Sequence, residues 1–312
     1  MTRHLRSLLD VDAGELQRII SLSAEVKKNP AAYRGKLDGK SIAMMFSKPS
    51  TRTRVSFEVG LSQLGAHALF LTTSGPTGLQ VTRGESYADA ARVLSRYVDA
   101  IVIRTFEQAQ IEALAEHGSI PVVNALSDAY HPCQALADTL TMAERFGDLK
   151  GRKLVFVGPG NNVVHSLMLA GPRVGFDVVC ACPAGLPPDD EVLGLAQADA
   201  KAAGTSVTVE HDLKAAVAGA HAIYTDTWVS MGQEGETDEL KALLATFTVS
   251  EELMGMAAKD AIFMHCLPAH RGVEVTDEVM DGPQSVVFDQ AENRLHTQKA
   301  LMLLLLEAEP WS

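Results

Sequence analysis

Short apolar runs alternate with helical stretches along the whole chain. In the first half, Ser41–Phe46, His67–Leu71, Ala100–Ile103 and Pro121–Asn124 have the length and makeup of buried strands. Between them, apolar positions recur at helical spacing over Arg54–Leu64, closing at Gly65, over Tyr87–Tyr97, and over Ile111–His117, closing at Gly118. An opening helix is expected after Asp12, because Asp12 and Glu15 have the spacing of a capping box. The second half repeats the theme, with strands expected at Lys153–Val157, Asp177–Ala181, Ser206–Val209, Ala222–Thr225 and Ala261–His265. About nine strands separated by helices predict parallel sheets with helices on their faces. Gly147-Asp-Leu-Lys-Gly151 interrupts the rhythm in mid-chain, so the chain reads as α/β, two βαβ domains of similar size. The run Leu301–Leu306 is apolar on all sides and predicts a buried helix; periodicity does not decide which domain it packs on.

Composition narrows the class. A length of 312 residues suits two cores, since one core rarely grows past about 250–300 residues. Hydrophobic residues at 46% and charged residues at 21% exclude a disordered or fibrous chain. Lys plus Arg number 27 against 39 Asp plus Glu, a net charge of -12, the wrong sign for a nucleic-acid binder. The longest apolar run falls far below the roughly 20 residues of a membrane span. The start, Met1-Thr-Arg-His-Leu-Arg-Ser, reaches Asp10 and Asp12 before any apolar stretch and is no secretory signal. Cys133, Cys180, Cys182 and Cys266 are too sparse for a disulfide framework and lack the C-x-x-C spacing of zinc sites. A cytoplasmic enzyme is expected.

Ligands of open α/β sheets bind beyond the carboxyl ends of strands, so the residues after each strand carry the chemistry. After the first strand, Ser47-Lys-Pro-Ser50-Thr51-Arg52-Thr53-Arg54 runs into a helix. Hydroxyls, guanidiniums and free N–H groups at a helix start form an anion trap. The plainer reading is a hydroxyl N-cap with two solvated arginines. Arg104 follows the third strand, and Asn124 to His131-Pro132-Cys133-Gln134 follows the fourth. His131 is either a satisfied structural residue or a donor to an oxygen, while Gln134 could hold an amide through both of its ends. Val157-Gly158-Pro159-Gly160-Asn161-Asn162 invites a dinucleotide reading, which fails on two counts. Val163 replaces the third glycine, and no acid ends Val178-Val179-Cys180-Ala181-Cys182-Pro183. There is also no G-x-x-x-x-G-K-[ST] loop. Asp226 to Gly232 and Met264 to Arg271 end two later strands. As plain structure these would be a capping Asp and a buried Cys acting as a small hydrophobe.

At these residues the chain resembles the transcarbamylases, and within them the ornithine carbamoyltransferases. S-T-R-T-R stands at Ser50 to Arg54, H-P-x-Q at His131 to Gln134, D-x-x-x-S-M-G at Asp226 to Gly232, and H-C-L-P at His265 to Pro268. Asp289 to Lys299 is similar to the start of the family's C-terminal helix, and all five stretches fall in family order. Departures are Pro159, where the family often has Asp, and the variant Thr82-Arg83-Gly84 after Gln80.

The resemblance implies a transcarbamylase-like fold. Residues 1–147, completed by a C-terminal helix at 291–312, would bind carbamoyl phosphate, and residues 148–290 would bind ornithine. It implies transfer of the carbamoyl group of carbamoyl phosphate to the δ-amine of L-ornithine, giving L-citrulline and phosphate. No metal or organic cofactor is needed for direct attack. By the same resemblance Ser50, Thr51, Arg52, Thr53, Arg104 and Arg294 would hold the phosphate, with Gln80 contributed by a neighbouring subunit of a homotrimer. His131, Arg104 and Thr53 would steady the carbonyl oxygen, and Gln134 with the carbonyls of Cys266 and Leu267 would hold the carbamoyl amide. Asp226 would take the α-ammonium of ornithine, and Asn162, Ser230 and Met231 its α-carboxylate. Cys266 would orient the amine without being a covalent nucleophile. Arg52, Arg104, His131, Asp226 and Cys266 are thus the expected catalytic set. The segment Ser230–Glu239, with Gly232 and Gly235, is expected to fold over ornithine once carbamoyl phosphate is bound. Competing readings are a sister enzyme using putrescine or an acylated ornithine, a non-catalytic phosphate-binding module, and a nicotinamide dehydrogenase.

Overall fold

The computed structural model describes residues 2–72, 84–228 and 242–311. The chain divides into two compact units, Met1–Leu140 with Asn293–Ser312, and Thr141–Glu292. Both are parallel sheets with helical crossovers.

The first unit opens with α1 (Ala13–Lys28), whose start is the expected capping box: Asp12 accepts from Glu15 N, and Glu15 reaches back to Asp12 N. Then follow β1 (Ser41–Phe46), α2 (Thr51–Leu64), β2 (His67–Thr72), α3 (Tyr87–Leu94), β3 (Ala100–Arg104), α4 (Gln108–His117), β4 (Val122–Leu126) and α5 (Pro132–Phe146). The sheet order is β2-β1-β3-β4, all parallel. The chain steps from β1 to one side and then crosses back to the other, so its switch point lies between the carboxyl ends of β1 and β3. Phe46 and Arg104 are partners at that end. Ala43, Met45, Ile101 and Ile103 bury one sheet face against Ala91, Ile111 and Leu114 of the flanking helices.

The second unit continues with β5 (Lys153–Val157), α6 (Asn162–Val174), β6 (Asp177–Ala181), α7 (Asp190–Ala203), β7 (Val207–Glu210), α8 (Leu213–Val217) and β8 (Ala222–Thr225). A short α9 (Glu251–Met254), β9 (Ile262–His265) and a short α10 (Asp277–Met280) complete it. Its parallel sheet has the order β7-β6-β5-β8-β9, which puts the switch point between β5 and β8, where Val157 pairs with Thr225. The long α11 (Val287–Leu305) carries the chain back into the first unit. Leu301 to Leu305 are at most 5% exposed, as an all-round apolar run requires. There α11 runs close to α2: a Cβ on Gly60 would meet Lys299 Cγ at 3.1 Å and Leu295 Cδ1 at 3.3 Å.

The expected elements are present, with shifted ends. α2 starts at Thr51 rather than Arg54 because Ser50 caps it, its side chain accepting from Thr53 N at 3.3 Å. α3 stops at Leu94 rather than Tyr97, at a serine whose Oγ turns back to Ala91 O. Among the described residues no helix is long and apolar enough to cross a membrane.

Candidate active site

In the first unit the switch point gathers cations. Ser50, Thr51, Arg52 and Thr53 form the first turn of α2 or its cap, and Arg104 ends β3, only 6% exposed. Ser47 N donates to Arg104 O at 2.9 Å, tying the loop after β1 to the end of β3. From α11, Arg294, 3% exposed, donates through Nη2 to Thr53 Oγ1 at 3.1 Å and through Nη1 to Gln134 Oε1 at 2.6 Å. His131 precedes Pro132 at the start of α5, and its carbonyl accepts from Gln134 N at 3.0 Å. Burial pushes the His131 imidazole well below its ordinary pKa, and Arg294, Arg104 and Arg52 push it further the same way. A neutral imidazole under three guanidiniums is a hydrogen-bonding group, not an acid. Cys133, beside it, is a buried thiol pushed up to about 12 by burial, and its Sγ faces Asn124 O. It is structural.

In the second unit the switch point gathers a carboxylate, amides and a thiol. Asp226 follows β8; its Oδ1 accepts from Cys266 Sγ at 2.8 Å and from Thr227 N at 2.7 Å, and its Oδ2 accepts from Asn161 Nδ2 at 3.0 Å. Asn161 also caps α6, its Oδ1 accepting from Val163 N and Val164 N. The structure therefore brings Asn161 to Asp226, whereas Asn162, the expected ligand, is the first residue of α6. In the glycine loop after β5, a Cβ on Gly160 would lie 2.2 Å from Pro188 N, so the Pro187–Pro188 backbone packs directly against this glycine.

Cys266 and Leu267 lie on the loop after β9. Leu267 has φ 59, a left-handed conformation that costs a residue with a Cβ about 1–3 kcal/mol. His265 holds it there: Leu267 N donates to His265 Nδ1 at 2.8 Å. Nδ1 is therefore the acceptor, and Nε2 carries the proton it shares with Glu274 Oε1 at 3.1 Å. Gln290 Oε1 accepts from His265 N at 2.9 Å. Donor atoms of Asp226, His265 and Cys266 lie within 4.8 Å of one another, a spacing that could hold a metal ion. Each of those atoms is already engaged in the hydrogen bonds above.

Two models of one family cover the chain. "Aspartate/ornithine carbamoyltransferase, carbamoyl-P binding domain" matches residues 3–144, and "Aspartate/ornithine carbamoyltransferase, Asp/Orn binding domain" matches residues 150–305. The chain belongs to the aspartate/ornithine carbamoyltransferase family. Among relatives of this family, the anabolic ornithine carbamoyltransferase of Pyrococcus furiosus is 54% identical over 270 residues, 86% of this chain and 85% of that protein. The ornithine carbamoyltransferase of Methanoculleus marisnigri is 50% identical over 98% of this chain and 97% of its own. A solved structure of ornithine carbamoyltransferase from Pyrococcus furiosus superposes with a TM-score of 0.94 at 50% identity, covering 99% of this chain and 98% of that one. Of the residues the carbamoyltransferase resemblance points to, Gln80, Ser230 and Met231, with the segment Ser230–Glu239, lie outside the described residues. Asn161, Glu274, Gln290 and Asp138, which touch site residues, escaped sequence reasoning. Only Asn161 carried a signal there, as an amide just before a helix start after a strand.

Proposed function

We propose that this carbamoyltransferase joins carbamoyl phosphate to L-ornithine at the δ-nitrogen by direct attack, releasing L-citrulline and phosphate, a step of arginine biosynthesis. One observation carries the amine assignment within a family that includes aspartate-using enzymes: the amine-binding unit presents a carboxylate, Asp226, hydrogen-bonded to Cys266 Sγ at 2.8 Å. A carboxylate attracts the ammonium of a diamino acid and repels the extra acid of aspartate.

Residues 1–147 with the helix at 291–312 are the carbamoyl-phosphate domain, and 148–290 is the ornithine domain. Arg52 and Arg104, with Ser50, Thr51, Thr53 and Arg294, hold the phosphate dianion. Gln134 and the carbonyls of Cys266 and Leu267 hold the carbamoyl amide. His131, neutral, donates to the carbonyl oxygen as it gains charge, together with Arg104 and Thr53; preorganised donors of this kind are the main electrostatic aid to acyl-type transfer. Asp226 holds the α-ammonium, Asn162, Ser230 and Met231 the α-carboxylate, and Cys266 orients the δ-amine. That amine has a pKa of about 10.4, so presenting it neutral at pH 7 costs about 4.6 kcal/mol, which desolvation lowers. Attack on the carbonyl carbon gives a tetrahedral intermediate. The C–O bond to phosphate then breaks, and phosphate leaves with a proton from the amine.

The protein works in the cytoplasm as a homotrimer, or a multiple of it, in which Gln80 of one subunit completes the site of the next. Supporting this assembly, Val55 and Val59 stand one turn apart on α2, 50% and 41% exposed. Beside them β2 is the edge strand, its apolar residues only half-buried, with Arg54 stacked 3.7 Å from the Phe70 ring centroid. The test is purified protein with carbamoyl phosphate and a panel of ornithine, putrescine, N-acetylornithine and aspartate, with ureido products quantified. Ornithine is expected to be preferred; equal or better use of another amine would overturn the assignment.

A further inference from the structure

Among the described residues only two carboxylates are buried, Asp138 and Glu274. Asp138 lies one turn after Gln134 on α5, the spacing at which helix side chains meet. Gln134 Nε2 donates to Asp138 Oδ1 at 2.8 Å, and Gln134 Oε1 accepts from Arg294 Nη1 at 2.6 Å. A carboxylate only accepts and a guanidinium only donates, so an amide between them has one consistent orientation. Turned over, it would set oxygen against oxygen and N–H against N–H. Arg294 is not a dedicated anchor, because the proposed phosphate also draws on it. Asp138, fully buried, holds the other end of the amide.

We propose that Asp138 is a positioning residue that sets the choice of donor, by keeping the oxygen of Gln134 toward the carbamoyl group so that the site requires an N–H there. The inference rests on Gln134 as the carbamoyl-amide contact. The NH2 of carbamoyl phosphate satisfies that oxygen. A methyl in its place, as in acetyl phosphate, leaves that oxygen one hydrogen bond short, with only Arg294 Nη1 donating to it, and sites built around a hydrogen bond reject analogues that lack it. A reversed amide would meet the carbamoyl NH2 donor to donor and erase the preference.

The measurement is the ratio of the inhibition constant of acetyl phosphate to the KM of carbamoyl phosphate, taken with the thermal midpoint and the ornithine KM. Asp138→Ala, which strands the Gln134 N–H2, is expected to lower that ratio about ten-fold, and Asp138→Leu, of similar shape but with no acceptor, by about as much, with ornithine KM within two-fold. Asp138→Leu decides the matter if the alanine variant does not fold. A ratio within two-fold of the parent in the leucine variant, while Gln134→Ala lowers it, would reduce Asp138 to a structural residue and overturn the proposal. If Gln134→Ala itself leaves the ratio unchanged, the reading of Gln134 has failed and the proposal falls with it.

Discussion

Replacing Asp226 by asparagine separates the two substrates, because the hydrogen bonds around the carboxylate leave an amide no good orientation. Oδ1 accepts from Cys266 Sγ and Thr227 N, and Oδ2 accepts from Asn161 Nδ2. Asparagine supplies one oxygen, so whichever way it turns an N–H2 group faces another donor. Asn161 cannot relieve this by flipping, since its own oxygen caps α6 through Val163 N and Val164 N. One donor left unmatched costs about 1–3 kcal/mol, which should appear as a lower thermal midpoint. The lost charge acts separately. A hydrogen bond to a charged group contributes about 1.5–3 kcal/mol, so ornithine KM should rise by about ten- to 150-fold. The affinity for carbamoyl phosphate should stay within about three-fold, because Asp226 and that ligand's proposed cations lie on different units. Initial rates over a range of ornithine at saturating carbamoyl phosphate give the first quantity, and calorimetric titration with carbamoyl phosphate alone gives the second. Equal weakening for both substrates, or an ornithine KM within three-fold of the parent, would refute the assignment of Asp226 to the ammonium.

Arg52→Ala should raise the carbamoyl phosphate KM or lower turnover by a combined factor of at least about 100, while ornithine-independent stability changes little; calorimetry and steady-state kinetics check it. His131, whose native pKa is held down from 6.5, takes up a proton on unfolding but not in the fold, so stability is full above that value and falls as pH drops below it. Its contribution to the slope reaches about 1.4 kcal/mol per pH unit and should vanish in His131→Gln, as read from urea unfolding between roughly pH 7.5 and 5.5. Gly160→Ala puts a Cβ 2.2 Å from Pro188 N and should destabilise by about 2–4 kcal/mol; an unchanged thermal midpoint would contradict the packing account of that glycine loop.

Much of the architecture is legible in the chain because parallel strands buried on both faces leave continuous apolar runs, and β1, β5, β6 and β8 begin and end where those runs do. Helix ends are less legible. The start of α2 turns on whether Ser50 caps it, and a hydroxyl two residues before an arginine reads equally well as an anion ligand. The first-contact residues were legible as strand-end clusters, since a parallel sheet sends every carboxyl end to one side. Their supports were not. Asp138 and Glu274 lie four and nine residues beyond the side chains they hold, one in a helix and the other in a loop, where an acid ordinarily signals only a solvated face. Burial turns them into anchors, and burial is a property of packing across distant parts of the chain. Arg294 and Thr53, 241 residues apart, meet for the same reason.

The two switch points use opposite electrostatics, and a net charge of -12 decides neither. Surface charges are screened over about 8 Å at physiological salt, whereas Arg104 and Arg294, 6% and 3% exposed, act on His131 through protein. An imidazolium added there would be a third buried cation beside Arg104 and Arg294, and burial and the arginines together keep the ring neutral. On the proposed reading this constrains the chemistry. Neutral, His131 stabilises the developing oxyanion by a hydrogen bond from its ring N–H while the guanidiniums supply the charge. The ring's lowered basicity leaves the proton released by the attacking amine to the departing phosphate, held on the proposed reading among the same arginines. The neutral histidine and proton transfer to phosphate are therefore one arrangement. A variant that let His131 ionise would be expected to disturb both, by stranding a proton where the amine's own must pass.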